Sequence, residues 1–252
     1  MKKIKALTMA LCSIIASAAN AQAVNLLELV KTATVRQVQE AIQQTGNLKA
    51  RGDYGRTLLM YAAIYNKNSG VIGTILKAGT DVDVRDNFGW TALMLAASAN
   101  PNPEVTSALL QAGADLSARD RYGLTPLMLA AWGQQDPGVI SALLQAGANL
   151  SARDRYGLTP LMFAACYNPR SEVITALLQA GADPNTRDRQ GLTSLMLAAW
   201  RNQNPGVISA LLRAGANGKL KSDEGRTAYD YAEKNDRIQG TDAYRTLDKA
   251  RF

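Results

Sequence analysis

The sequence predicts an all-α solenoid of turn-helix-loop-helix units, each 34 residues long, with capping repeats at both ends. Three observations predict it. Glycine recurs at 55, 89, 123, 157, 191 and 225, a step of 34 each time, and Thr57, Thr91, Thr125, Thr159, Thr193 and Thr227 keep the same phase, as do Ala62, Ala96, Ala130, Ala164, Ala198 and Ala232. A second glycine set falls at 79, 113, 147, 181 and 215. Residues 116–131 read LSARDRYGLTPLMLAA and residues 150–165 read LSARDRYGLTPLMFAA, with a single difference. A unit of this size cannot bury its apolar face alone, so copies must stack on one another.

Taken in chain order, Met1-Lys2-Lys3-Ile4-Lys5 is a basic start, Ala6 to Ala19 an apolar run too short to span a membrane, and Ala19-Asn20-Ala21 and Ala21-Gln22-Ala23 both small-residue cleavage patterns, with cleavage after Ala23 favoured over Ala21. Residues 1–23 are therefore expected to be a secretory signal peptide. Leu11 precedes Cys12 where a lipoprotein signal needs a small residue, so lipidation is not expected. Residues 24–50 form an N-terminal capping repeat with two weakly matching helices. Val35, Val38, Ala41 and Ile42 make the second helix's apolar stripe, and Gly46 ends it. Five units follow over 51–220 (51–84, 85–118, 119–152, 153–186 and 187–220), and 221–252 is a more polar C-terminal cap in which Tyr229, Tyr231, Ala232, Tyr244 and Leu247 face inward.

The unit 119–152 shows why each element should form. Arg119-Asp120-Arg121-Tyr122-Gly123 is a turn, with Gly123 placed where positive φ is needed. Thr125 caps a first helix and Pro126 takes its first position, where a missing N–H does no harm. Leu127, Ala130 and Ala131 form a small-residue face. Asp136-Pro137 repeats the cap-then-proline signal, as Asn102-Pro103 and Asn204-Pro205 do elsewhere. Val139, Ile140, Leu143 and Leu144 supply the second helix's buried stripe, and Gly147 ends it. Asp86, Asp120, Asp154 and Asp188, one per unit, read as turn caps.

The pattern G-x-T-P-L-M-x-A-A followed by L-L-Q-A-G-A resembles the ankyrin repeat over nearly the whole chain after residue 23. The unit is one residue longer than the common 33, with the extra residue between the helices, as in exported bacterial ankyrin proteins. Met60, Met94, Met128, Met162 and Met196 stand where the family carries a histidine that ties neighbouring repeats, so adaptable apolar packing is expected in place of that polar tie.

Composition narrows function. The 252 residues are 47% apolar and contain no histidine, which excludes Ser-His-Asp and Cys-His nucleophile systems and HExxH metal sites. No phosphate loop and no metal-ligand cluster occurs, so the chain is expected to be non-enzymatic, without cofactor or metal. Loss of residues 1–23 would take the 28 basic residues to 25 against 21 acids, a net charge near +4. Cys166 would then be the one remaining cysteine; Ser98 and Ile64 share its phase, so it reads as a small residue at the core's edge rather than a redox group.

The resemblance places ligands on the concave face, at the turn tips and the exposed end of each first helix. Those phases hold Tyr65, Phe88, Trp90, Tyr122, Trp132, Tyr156, Tyr167, Trp200, Arg121, Arg155, Arg189 and Arg201, and Trp, Tyr and Arg are the types that dominate binding hot spots. A second series, Arg51, Arg85, Arg119, Arg153, Arg187 and Lys221, forms a basic row that either pairs with the turn aspartates, the favoured reading, or meets an anionic polymer. The expected function is a monomeric, exported, periplasmic or secreted module that binds a protein of unknown identity. Nucleic acid is not the expected partner, and no later segment is apolar and long enough to span a membrane.

Overall fold

A computed structural model describes residues 26–133 and 136–252. The expected signal peptide, 1–23, lies outside the described residues. After a short helical turn at 26–29, helices alternate between two layers. The outer layer holds α1 (Val35–Thr45), α3 (Ser69–Lys77), α5 (Pro103–Gln111), α7 (Pro137–Gln145), α9 (Ser171–Gln179), α11 (Pro205–Arg213) and α13 (Asp242–Ala250). The inner layer holds α2 (Leu58–Tyr65), α4 (Ala92–Ala99), α6 (Pro126–Trp132), α8 (Pro160–Tyr167), α10 (Ser194–Arg201) and α12 (Ala228–Ala232). Each inner helix packs on the next inner helix, each outer on the next outer, and both on their partner within the unit. The described residues contain no strand, only an isolated bridge between Arg51 and Thr57. This is an all-α solenoid of stacked helix pairs.

The caps act as the sequence predicts. In every inner helix the threonine hydroxyl at the N-cap accepts the backbone N–H three residues on, from Thr57 and Met60 to Thr227 and Asp230. Asn102, Asp136 and Asn204 cap the outer helices that begin with proline. Gly123 and Gly147 take φ of 82° and 88°, the left-handed region their roles require. In the core, Leu127, Ala130 and Ala131 of α6 are buried against Val139, Ile140 and Leu143 of α7. At the ends, Val38, Tyr231, Ala232 and Leu247 are buried, while Tyr229 and Tyr244 are half-buried with ring centroids 4.9 Å apart and hydroxyls 2.8 Å apart.

The methionines keep one polar duty. Met60, Met94, Met128 and Met162 are wholly buried, yet in three units the thioether sulfur lies 3.4–3.5 Å from the threonine N–H, at Thr57, Thr125 and Thr159. There it takes the place of the side-chain acceptor in a capping box. The polar tie between repeats falls to other residues, asparagines that follow every inner helix except α6, whose C-cap is Gly133. The Nδ2 of Asn66, Asn100, Asn168, Asn202 and Asn235 donates into the preceding repeat; Asn100, for example, reaches the carbonyls of Ala63 (3.0 Å) and Asn66 (2.9 Å). Ala63 lies in the last turn of α2 and Asn66 is its C-cap, so each asparagine satisfies carbonyls that a helix end leaves orphaned.

Candidate functional site

The turn tips are built around the conserved-phase aspartates. The carboxylate of Asp120 accepts the N–H groups of Tyr122 and Leu124, both at 2.8 Å, and Asp86, Asp154 and Asp188 accept the equivalent pairs. Neighbouring tips are then tied backbone to backbone, by Asn87 N–H to Tyr54 O (2.8 Å), Arg155 to Tyr122 (3.0 Å) and Arg189 to Tyr156 (3.1 Å). The tips thus hold the aromatic and arginine side chains between them on a fixed backbone.

This turn-capping duty corrects the favoured reading of the basic row. Arg51, Arg85, Arg119 and Arg153 do not pair with the aspartates. Each Nη1 instead bridges the glycine carbonyl of its own tip and the carbonyl of the next arginine in the row: Arg119 reaches Gly123 O at 2.9 Å and Arg153 O at 2.7 Å. The aspartate Oδ1 atoms are already committed to two amides, so the guanidinium finds carbonyls. Only Arg187 in the row meets an acid, Asp223, at 3.3 Å, and Lys221 is exposed.

Between the tips and the inner-helix ends runs a groove. Its central part, about 580 Å³, is lined by Phe88, Trp90, Tyr122, Trp132, Tyr156 and Tyr167, with Phe163, Leu124 and Leu158 behind them. Trp132 is 46% exposed, and its ring lies 5.6 Å from Tyr167 and 6.0 Å from Phe163. Two further parts of about 340 and 350 Å³ continue over Tyr156, Arg189, Trp200 and Arg201, then over Trp200 and the C-terminal cap. Arginines stack on the rings: Arg121 over Phe88 at 5.1 Å, Arg155 between Tyr122 (4.4 Å) and Tyr156 (4.7 Å), Arg201 over Trp200 (4.4 Å). Such contacts hold a cation flat on a ring without neutralising it.

Two residues of the expected set sit differently. Trp90 is half-buried and its indole N–H donates to Asp120 in the next repeat at 3.1 Å, so it wedges repeats together while lining the groove with one edge. The sequence carries the reason: Trp90 occupies the phase of Leu124, Leu158 and Leu192, which pack inward. Tyr65, at the phase of Tyr167 but three units earlier, packs against Tyr61 (6.4 Å) and under Lys31 (5.2 Å) and does not line these three parts. Phe163 was not among the expected groove residues, although it is the one change between the two near-identical segments. Cys166 is buried at the groove's floor, and burial pushes its thiol up to about 11. It is a packed thiol, and burial of this kind disfavours the thiolate that reactivity requires.

A helical stack with a continuous aromatic groove along one face defines a repeat scaffold for macromolecular recognition. Comparison with family models identifies which one. A model described as "Ankyrin repeats (3 copies)" matches residues 59–154 and 136–188, and another, "Ankyrin repeats (many copies)", matches 177–232. The chain belongs to the ankyrin-repeat family, whose members are generally non-enzymatic interaction scaffolds with protein partners. No curated protein matches the chain. Among the described residues no helix is long and apolar enough to cross a membrane.

Proposed function

We propose that this ankyrin stack is an exported bacterial protein that binds a periplasmic or secreted protein through its concave groove. Export rests on the order of basic, apolar and small-residue segments in residues 1–23, and cleavage after Ala23 would release a chain that begins with the N-terminal capping repeat. The observation that carries the binding reading is the exposed Trp132–Tyr167 pair over Phe163. Core rows in this chain are Leu, Ala and Met, so large rings left facing solvent at one face are available to a partner.

Binding to an anionic polymer through the basic row is the weaker reading, because four of its six cations are engaged with carbonyls between repeats. N-terminal sequencing of the protein recovered from a periplasmic fraction tests export, and an intact Met1 there would end that part. Affinity capture with wild type against Trp132→Ala/Tyr167→Ala/Trp200→Ala tests the groove. The triple variant is expected to lose the captured protein; retention of every captured protein sinks the groove reading.

A further inference from the structure

The tip residues at one phase, read along the stack, are Asp53, Asn87, Arg121, Arg155, Arg189 and Asp223. Three arginines in succession are thus bounded by an acid and a neutral residue on one side and an acid on the other. Arg121, Arg155 and Arg189 are exposed, and none of them forms an ion pair among the described residues. Their hydrogen bonds leave the charge in place: Arg121 donates to the Asn87 carbonyl and Arg155 to the Tyr156 hydroxyl. The acids nearest them, Asp120 and Asp154, are buried with their carboxylates turned onto tip amides. At both ends the run stops. Arg56 is paired with Asp86 at 3.4 Å, and in the last tip Asp223 and Glu224 hold Arg187 and Arg226 at 3.3 and 3.1 Å.

We propose that the partner enters the groove as an acidic, extended peptide segment whose carboxylates meet Arg121, Arg155 and Arg189 in turn and whose apolar side chain seats at Trp132, Phe163 and Tyr167. This rests on the groove being the binding face. The spacing is set by the stack. Repeats step about 10 Å, the distance of packed helices, and a polyproline-II chain advances about 3.1 Å per residue with three residues per turn, so acids three residues apart share a face and meet successive repeats. The run of only three free cations, closed at each end by acids, favours a short acidic segment over a long polyanion, which would continue into Asp53 and the Asp223–Glu224 tip. The guanidinium groups of Arg121 and Arg155 already lie over Phe88, Tyr122 and Tyr156, so these two have less side-chain freedom to lose on meeting a carboxylate.

The test is selection from a phage-displayed library of random twelve-residue peptides on the full chain, on Arg121→Glu/Arg155→Glu/Arg189→Glu, and on Trp132→Ala/Tyr167→Ala. Wild type is expected to enrich Asp and Glu about three residues apart beside an aromatic or leucine. The charge-reversed chain is expected to lose those peptides and enrich Lys and Arg. Each exposed ion pair is worth roughly a 1.5- to 5-fold change, so the reversed triple should bind a selected acidic peptide on the order of tenfold more weakly. Circular dichroism and the milder Arg→Gln triple guard against misfolding, and the Gln triple should lose affinity without gaining basic peptides. Peptides without acid enrichment that are still lost on Trp132→Ala/Tyr167→Ala would overturn the acidic segment while keeping the groove. Peptides indifferent to both variants, or no enrichment at all, would overturn both. A thirty-nucleotide single-stranded DNA that binds wild type more tightly than the selected peptides and fails on the Glu triple would replace the peptide with a polymer.

Discussion

Asn202 gives both protons of its side-chain amide to the preceding repeat, one to the carbonyl of Ala165 and one to that of Asn168, each at 2.9 Å. Its own Oδ1 accepts the N–H of Asn204 at 2.9 Å, so a residue only 2% exposed has every major hydrogen-bonding group satisfied. Ala165 is in the last turn of α8 and Asn168 caps it. The end of one helix is therefore completed by a side chain of the next unit.

Asn202→Ala leaves those two carbonyls buried without a donor. Each orphaned group costs about 1–3 kcal/mol, so a total loss of about 2–6 kcal/mol is expected in urea unfolding. Asn100→Ala should behave alike, since it makes the same contacts with Ala63 and Asn66. A loss below about 0.5 kcal/mol, the size of an ordinary surface substitution, would show that the ladder is incidental.

Arg119→Ala removes a guanidinium that bridges Gly123 O and Arg153 O. Hydrogen bonds of this kind are worth roughly 0.5–1.5 kcal/mol each, and the site is exposed, so a loss of about 1 kcal/mol is expected. The partners are carbonyls and not carboxylates. The loss should thus be the same at 50 mM and 500 mM salt, whereas an ion pair would weaken as the screening length shortens. A loss that vanishes at high salt would restore the aspartate-pairing reading.

Two glycines with similar backbone angles should differ when replaced. Gly123→Ala and Gly147→Ala both force a side chain into the left-handed region, at φ of 82° and 88°, a cost of about 1–2 kcal/mol. A Cβ at Gly147 meets nothing within 4 Å, but at Gly123 it comes 3.3 Å from the Arg155 nitrogen and 3.4 Å from the Asp154 Cα in the next repeat. Those are backbone atoms tied by the Arg155–Tyr122 bond and cannot move aside singly. Thermal denaturation should place Gly123→Ala below Gly147→Ala; the reverse order would mean that the tips are not locked to one another.

How far the sequence reveals this molecule depends on what each residue bonds to. Caps, turn aspartates and apolar stripes act within a unit, so their spacing alone identifies Thr125, Asp120 and Val139. The groove aromatics are legible because Trp132 and Trp200 share one phase and Tyr167 falls one position on, just past the apolar rows of Ala, Leu and Met in the inner helices. Bonds across a 34-residue gap are harder to read. Asn66, Asn100, Asn168 and Asn202 fall on that step, with Gln134 in the place between Asn100 and Asn168, yet an asparagine in a polar loop looks like any turn former. The arginine row suggests aspartate partners because opposite charges lie adjacent in the chain; only the folded turn shows the carboxylates spent on amides. Trp90 and Trp132 are alike in type, and their different fates follow from one sitting at an inward leucine phase.

Cys166 gives a pH-dependent prediction whose sign is fixed by burial. Burial raises its thiol from the usual value near 9 to about 11, against a smaller opposing pull from Arg201. Below pH 9 folded and unfolded chains both keep the proton, and the thiol makes no difference. Between 9 and 11 the unfolded thiol ionises while the folded one does not, so stability falls as pH rises, and the fall ends above 11. Two pH units correspond to about 2–3 kcal/mol. Tyrosines titrate in the same window, so the quantity to follow is the difference between wild type and Cys166→Ala in urea unfolding at pH 8, 9, 10 and 11. The alanine variant carries a constant cavity cost but lacks the titration, and wild type should lose ground against it steadily above pH 9. At pH 8 the same shift should make alkylation of the folded thiol by iodoacetamide far slower than that of the urea-unfolded chain. A wild-type advantage that stays level from pH 8 to 11, together with fast alkylation of the folded protein, would mean that the sulfur is open to the groove and not packed beneath it.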